Sequence, residues 1–290
     1  MTGMDKSEES LEVKKKKRRK ATKANVIRYI LLAIMAGIFT FSAYSLTKRF
    51  LEYGEGDQAY EEVDNMFYTT TDTGDDQGNG AAESDGKVAV SKEKKKWTWD
   101  FSKLKKLNKE AVGYIRQEDT RIQYPILQHS DNSYYLTHLY DNTYNRNGSI
   151  FLDYRLTEKF DSKNTIIYGH NMWSDAMFGT LTQYLDEKSY YKKHPTFDIY
   201  EGDDHYICYV FAMFEANAKN DPVYQYSFTS DEEFTQWIKE QRARSVYDTS
   251  KRVREITKDD KIITLSTCTK NNSSKRVVIM LLRGELIVDE

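Results

Sequence analysis

The sequence predicts a mainly β domain with helical insertions, an α+β barrel, behind a single transmembrane helix. Three observations carry that prediction. Residues 29–46 form an uncharged apolar run, about eight short β-branched and aromatic runs fill the C-terminal part of the chain, and an acidic stretch without sustained periodicity lies between them.

The apolar run comes first. YILLAIMAGIFTFSAYSL, Tyr29 to Leu46, contains 18 residues without a charge. As a helix it spans roughly 27 Å against a hydrocarbon core of about 30 Å. Val26, Ile27, Phe50 and Leu51 extend it, and Arg28, Lys48 and Arg49 can reach the interfaces. The alternatives are a cleaved signal peptide or a buried helix, but the run is long for a signal peptide and no small-x-small site follows it. KKKKRRK at 14–20, with Lys23 and Arg28, outweighs Lys48 and Arg49 on the far side. That asymmetry predicts a cytoplasmic tail over 1–28 and a single-pass, type II protein whose bulk is outside. A basic run elsewhere suggests nucleic acid; directly before a span it fits topology and anionic lipid better. The whole chain, with 43 basic and 45 acidic residues, carries a net charge of −2 and offers nucleic acid no general field.

From Glu52 to Asp85 there are many carboxylates and no Lys or Arg. The hydrophobic fraction of the chain, 39%, is low enough that part of it must lie outside any core. Residues 47–93 therefore read as a flexible acidic extracellular linker, and 94–290 as one domain. Phe101, Leu104 and Leu107 recur at helical spacing behind Asp100 and Ser102, so a short helix opens that domain. Strands follow at 112–117, 121–128, 148–154, 164–169, 196–201, 205–216, 261–268 and 276–282. Gly202-Asp203-Asp204 makes a hairpin turn between the fifth and sixth. Helices are expected over Asn132–Tyr140, Met177–Tyr184 and Asp231–Tyr247, the last opened by Ser230 with Glu233 as a capping box. Many short strands with scattered helices suggest a barrel.

His170 follows one strand end, Cys268 ends another, and Arg276 opens the strand after it. Strand ends on one rim converge readily, and a thiolate, an imidazole and a guanidinium together are a nucleophile, an acid–base and an oxyanion partner. Each also has an ordinary explanation: a small buried hydrophobe, a solvated loop histidine, a surface charge. Cys208 alternates with bulky residues inside HYICYVFAMF and reads as core; a disulfide with Cys268 would block the nucleophile. His129, His138, His194 and His205 lack metal-like spacing with any other His or Cys, and no metal site is expected. Trp97 and Trp99 are expected to pack against the barrel.

TLSTC at 264–268 with Arg276 beyond it resembles the active-site segment of the sortases. IIYGHNM at 166–172 with MFGTL at 177–181 resembles their histidine segment. VGYI, YPILQ with DNSYYL, GSIFLDY and the long helix before the cysteine strand are similar to the class B branch in particular. The resemblance covers about 100–288. It implies a sortase-like closed barrel of about eight strands and a Gram-positive cysteine transpeptidase, of the 3.4.22 peptidase class, that works without a cofactor. Cys268 would attack the Thr carbonyl of an NPxTx or xPxTG-like sorting pentapeptide, His170 would serve as acid and base, and Arg276 would hold substrate and oxyanion. Thr267 and Ser266 would line the substrate groove, and the N–H of Thr269 would add an oxyanion donor. The implied partners are surface proteins with a C-terminal sorting signal and an amine from a cell-wall peptide or a pilin lysine, with membrane lipid around 29–46. A hydrolytic cysteine protease and a non-catalytic surface-binding protein on the same fold are the alternatives.

Overall fold

The computed structural model describes residues 5–70, 95–269, 272 and 274–287. The chain divides into two compact units, Met1–Glu52 and Tyr53–Glu290. In the first, residues from Asp5 onward belong to helix α1, Asp5–Asn65. The apolar run lies inside it with its side chains uncovered; Phe39 is 73% exposed and Phe41 71%. By length and composition this helix can cross a membrane.

The second unit is a closed eight-stranded barrel. A two-stranded ribbon precedes it, β1 (Tyr68–Thr70) against β2 (Lys95–Trp97). The barrel strands are β3 (Ala111–Arg116), β4 (Gln123–Leu127), β5 (Ile150–Leu152), β6 (Asn164–Tyr168), β7 (Thr196–Glu201), β8 (Asp204–Asn217), β9 (Ile262–Cys268) and β10 (Lys275–Ile287). They close in the order β10-β8-β7-β3-β4-β5-β6-β9. All eight predicted runs are barrel strands. The β7–β8 hairpin turns at Gly202-Asp203, with Glu201 paired to Asp204. Two neighbours are parallel, β4 with β5 and β6 with β9, and the second of these builds the site.

Period-2 burial explains why β10 reads as an unbroken apolar run. Val277, Ile279 and Leu281 join the main core with Ile115, Ile199 and Leu265. Val278, Met280 and Leu282 point the other way, into a second cluster with Phe234, Trp237 and Ile238 of the helix Asp231–Ala243. A strand buried on both faces has no polar side to show. The opening helix, Phe101–Leu107, is capped by Asp100, whose carboxylate accepts from Lys103 N–H at 3.2 Å.

Four expectations need correction. Asn132–Tyr140 is not a helix. Asp131 captures the N–H groups of Ser133 and Tyr134, and only a 3-10 turn, Tyr134–Leu136, follows. Met177–Tyr184 likewise begins as a 3-10 turn, Gly179–Thr182, before a short helix, Gln183–Asp186. The expected helix to Tyr247 stops at Ala243. The fourth correction concerns the linker. Residues 53–65 are helical, and Tyr60, Val63 and Phe67 are buried at 3%, 0% and 0% exposure. Tyr60 joins the main core, whereas Val63 and Phe67 form a third cluster with Leu104 and Tyr114, against which both tryptophans, Trp97 and Trp99, pack as expected. The remainder of the expected linker, 71–94, lies outside the described residues.

Candidate active site

The β6–β9–β10 ladder brings three distant segments to one sheet end. Tyr168 pairs with Ser266 in parallel, and Gly169 N–H extends the ladder to Ser266 O at 3.2 Å. Two residues beyond each partner come His170 and Cys268, so the register sets them level. Across the antiparallel side Cys268 pairs directly with Arg276. Asn171 then ties the loop to the strand, donating through Nδ2 to Cys268 O at 2.7 Å. All three residues line one cleft of about 480 Å³, with Ser266, Thr267, Tyr168, Tyr224, Leu136 and Arg155.

Cys268 is half-buried and carries a free thiol. The imidazole of His170 lies 2.7 Å through Nε2 from Leu136 O. A carbonyl only accepts, so Nε2 carries a proton and Nδ1 is left for other chemistry. Arg276 donates through Nη1 to Lys275 O at 2.9 Å. Ser266 is buried, its Oγ 2.9 Å from Tyr224 Oη. Burial pushes the Tyr224 phenol up, so it remains a neutral hydroxyl at the cleft wall. Thr267 is 2% exposed, and its hydroxyl has no hydrogen-bond partner among the described residues. Thr269, expected to add an oxyanion donor, does not line this cleft. Its N–H is directed to Lys275 O at 3.4 Å within the ladder, its hydroxyl donates to Asn272 O, and it lines a neighbouring hollow rather than this cleft.

Sequence reasoning missed the rest of the wall. Asp153 is fully buried and grips Arg155 with both oxygens, at 2.9 Å to Nε and 2.7 Å to Nη2. Tyr168 donates its hydroxyl to Asp153 Oδ2 at 2.9 Å. Burial alone would raise the Asp153 carboxyl, but the bonds from Arg155 and Tyr168 hold it below the usual carboxylate range. The Arg155 guanidinium, 4.6 Å over the Tyr226 ring, is thus a fixed cation on the rim. A carboxylate and an arginine two residues apart, at a strand end, was the available signal.

The remaining candidates lie elsewhere. Cys208 is fully buried, and burial pushes its thiol up to about 12. His129 meets Glu110 at 2.9 Å, His205 meets Asp198 at 2.8 Å, His138 stacks on Tyr134, and His194 is buried.

A family model described as a sortase domain matches residues 115–283. Sortase B of Listeria monocytogenes is 34% identical over 258 residues, covering 89% of this chain and 95% of the relative. Among solved structures, sortase B from B. anthracis in complex with AAEK1 aligns with a TM-score of 0.64 and 29% identity, over 81% of this chain and 99% of that one. The Staphylococcus aureus sortase B–substrate complex aligns with a TM-score of 0.58 and 33% identity, over 64% of this chain and 84% of that one. With its barrel, its cleft and these relatives together, the chain belongs to the sortase family, in the class B branch.

Proposed function

We propose that the protein is a membrane-anchored cysteine transpeptidase that cuts a sorting pentapeptide after Thr and passes the acyl group to an amine. The observation that carries this reading is the level placement of His170, Cys268 and Arg276 across adjacent strands in one cleft. In the first half-reaction the Cys268 thiol passes its proton to His170, and the resulting thiolate attacks the Thr carbonyl carbon. The tetrahedral oxyanion forms beside the Arg276 guanidinium, a charge-assisted donor. As the intermediate collapses, the C–N bond breaks and the leaving amine takes a proton from His170. In the second half an incoming amine gives a proton to His170 and attacks the thioester. The C–S bond breaks, the thiolate returns, and one amide has replaced another.

The substrate is an NPxTx or xPxTG-like signal at the C-terminus of a surface protein; the acceptor is a cell-wall peptide amine or a pilin lysine. The solved S. aureus relative, a substrate complex, supports a peptide in the cleft. Residues 1–28 are the cytoplasmic tail and 29–46 the span, with the barrel outside, a layout supported by the basic asymmetry around the apolar run. The catalytic unit begins near residue 53.

The test is mass spectrometry of the full-length chain in detergent, incubated with a small library of xPxTx peptides with and without an amine acceptor, beside Cys268→Ala. The expected result is an acyl adduct on Cys268 that the acceptor converts to a ligated amide, and no adduct on the variant. Equal release of cleaved peptide without acceptor makes the protein a hydrolase. No adduct across the library leaves a binding role.

A further inference from the structure

Residues 53–65 of α1 clasp the turn at 145–149. Tyr60 is 3% exposed, and its Oη lies 2.7 Å from both Gly148 O and Ser149 Oγ. Fully buried Asn147 donates through Nδ2 to Tyr53 O at 3.1 Å. Gly56 faces it so closely that a Cβ would sit 2.4 Å from Asn147 Nδ2.

The clasped turn abuts the carbonyl that holds His170. Gly148 has φ +60°, and a Cβ there would come 2.5 Å from Tyr135 O and 2.9 Å from Leu136 O. Ser149 holds both sides of Leu136: its N–H donates to Tyr135 O at 2.9 Å and its hydroxyl to His138 O at 2.8 Å. With that proton committed, Ser149 Oγ takes part only as an acceptor, and the single Tyr60 proton is shared between it and Gly148 O. Leu136 O, between the two held carbonyls, accepts from His170 Nε2–H at 2.7 Å.

We propose that Tyr60 is a positioning residue for His170: by holding Gly148 and Ser149 against the Tyr134–Leu136 turn it fixes Leu136 O, and through it the orientation of the imidazole and the nitrogen that carries the proton. The proposal rests on the reading of His170 as acid and base. A segment lying between the apolar run and the barrel in the chain is therefore part of the active site's support. Proton transfer tolerates little displacement; an error of about 1 Å in a supporting group can cost up to about 10²-fold in rate. The ring of Tyr60 packs independently of its hydroxyl, edge-on to Tyr124 at 5.2 Å and to Tyr140 at 5.7 Å. Phenylalanine keeps those contacts and removes only the hydrogen bonds.

Tyr60→Phe in the full-length chain, in detergent, is read in two ways. The first is the 15N–1H spectrum of the protein labelled at its 5 histidines, with His170→Ala assigning the signal. Wild type should show the proton on Nε2, and the variant a broadened or mixed signature. The second is steady-state transpeptidation: kcat should fall about tenfold with KM within about twofold. Adding Ser149→Ala should lower kcat little further, since both changes cut one linkage. An unchanged His170 signature in Tyr60→Phe overturns the proposal, whether kcat holds or falls together with thermal stability. If wild type transfers no peptide yet the variant still alters the His170 signal, the positioning stands and the transpeptidase reading falls. If wild type is active and neither readout moves, the reverse holds.

Discussion

Cys268 and Cys208 are the chain's two thiols, and their surroundings set opposite reactivities. Cys268 opens onto the cleft, whereas Cys208 is fully buried, with its thiol pushed up to about 12 by burial. At pH 8 roughly one part in 10⁴ of such a thiol is thiolate, and no path reaches it. Iodoacetamide at pH 8 should therefore add one carbamidomethyl group to the folded protein, on Cys268, and two in denaturant. Peptide mapping that finds Cys208 labelled in the folded state would contradict its place in the core. At this scale the sequence is informative where a residue sits at the end of a strand run, as His170, Cys268 and Arg276 do. It is silent where a role depends on tertiary approach. Tyr224 reaches Ser266 across 42 residues, and Tyr60 reaches Ser149 across 89; no local pattern marks either.

Elements were legible in proportion to the regularity of their burial. Strands alternate or run wholly apolar because each face meets a core, so all eight could be read, to within a few residues at their ends. The 132–140 segment misled because its apolar spacing is helical while its hydrogen bonding is not. Asp131 offers the backbone a local alternative, and the side chains pack around a turn instead. Residues 53–65 misled in the other direction. Gly56, Tyr60, Val63 and Phe67 form a stripe at i, i+4, i+7 and i+11, but one position carries no side chain and the rest of the face is acidic. The Asp231–Ala243 helix shows what a legible boundary contributes. Ser230 Oγ accepts from Glu233 N–H at 3.2 Å, as the capping box requires. The return arm lands one residue early, where Glu233 accepts from Thr229 N–H at 2.6 Å and from its hydroxyl at 2.7 Å. Ser230→Ala should cost about 1 kcal/mol, a drop of about 2–4 °C in a unit of this size. Differential scanning calorimetry that shows no shift would mean that water replaces the Ser230 hydroxyl at the Glu233 N–H without cost.

The whole molecule turns on where its folding unit begins, and a stability comparison can locate that point. A chain starting at residue 94 matches the boundary suggested by the acidic composition; one starting at 53 matches the packing. The difference includes Tyr60, Val63 and Phe67, all buried. At about 1.5–3 kcal/mol for each buried apolar side chain, their loss removes roughly 4.5–9 kcal/mol, an upper estimate because unfolded chains already cover some of this surface. Marginal stability is about 5–15 kcal/mol, so the loss is comparable to the whole. Two further penalties add to it. Loss of Phe67 removes one of the ring partners of Trp99, at 5.1 Å, and one of those of Tyr114, at 5.5 Å. Asp64 no longer accepts from the Tyr114 hydroxyl at 3.0 Å, in a residue with no exposed surface. That hydroxyl loses its protein partner, and the side of Tyr114 that the segment covers is opened to water. The chain from 53 should unfold cooperatively at a temperature close to that of the barrel in the full-length protein. The chain from 94 should unfold far lower or expose enough apolar surface to aggregate. Equal melting temperatures for the two would make residues 53–67 a passive spacer, and would remove the physical basis on which Tyr60 supports His170.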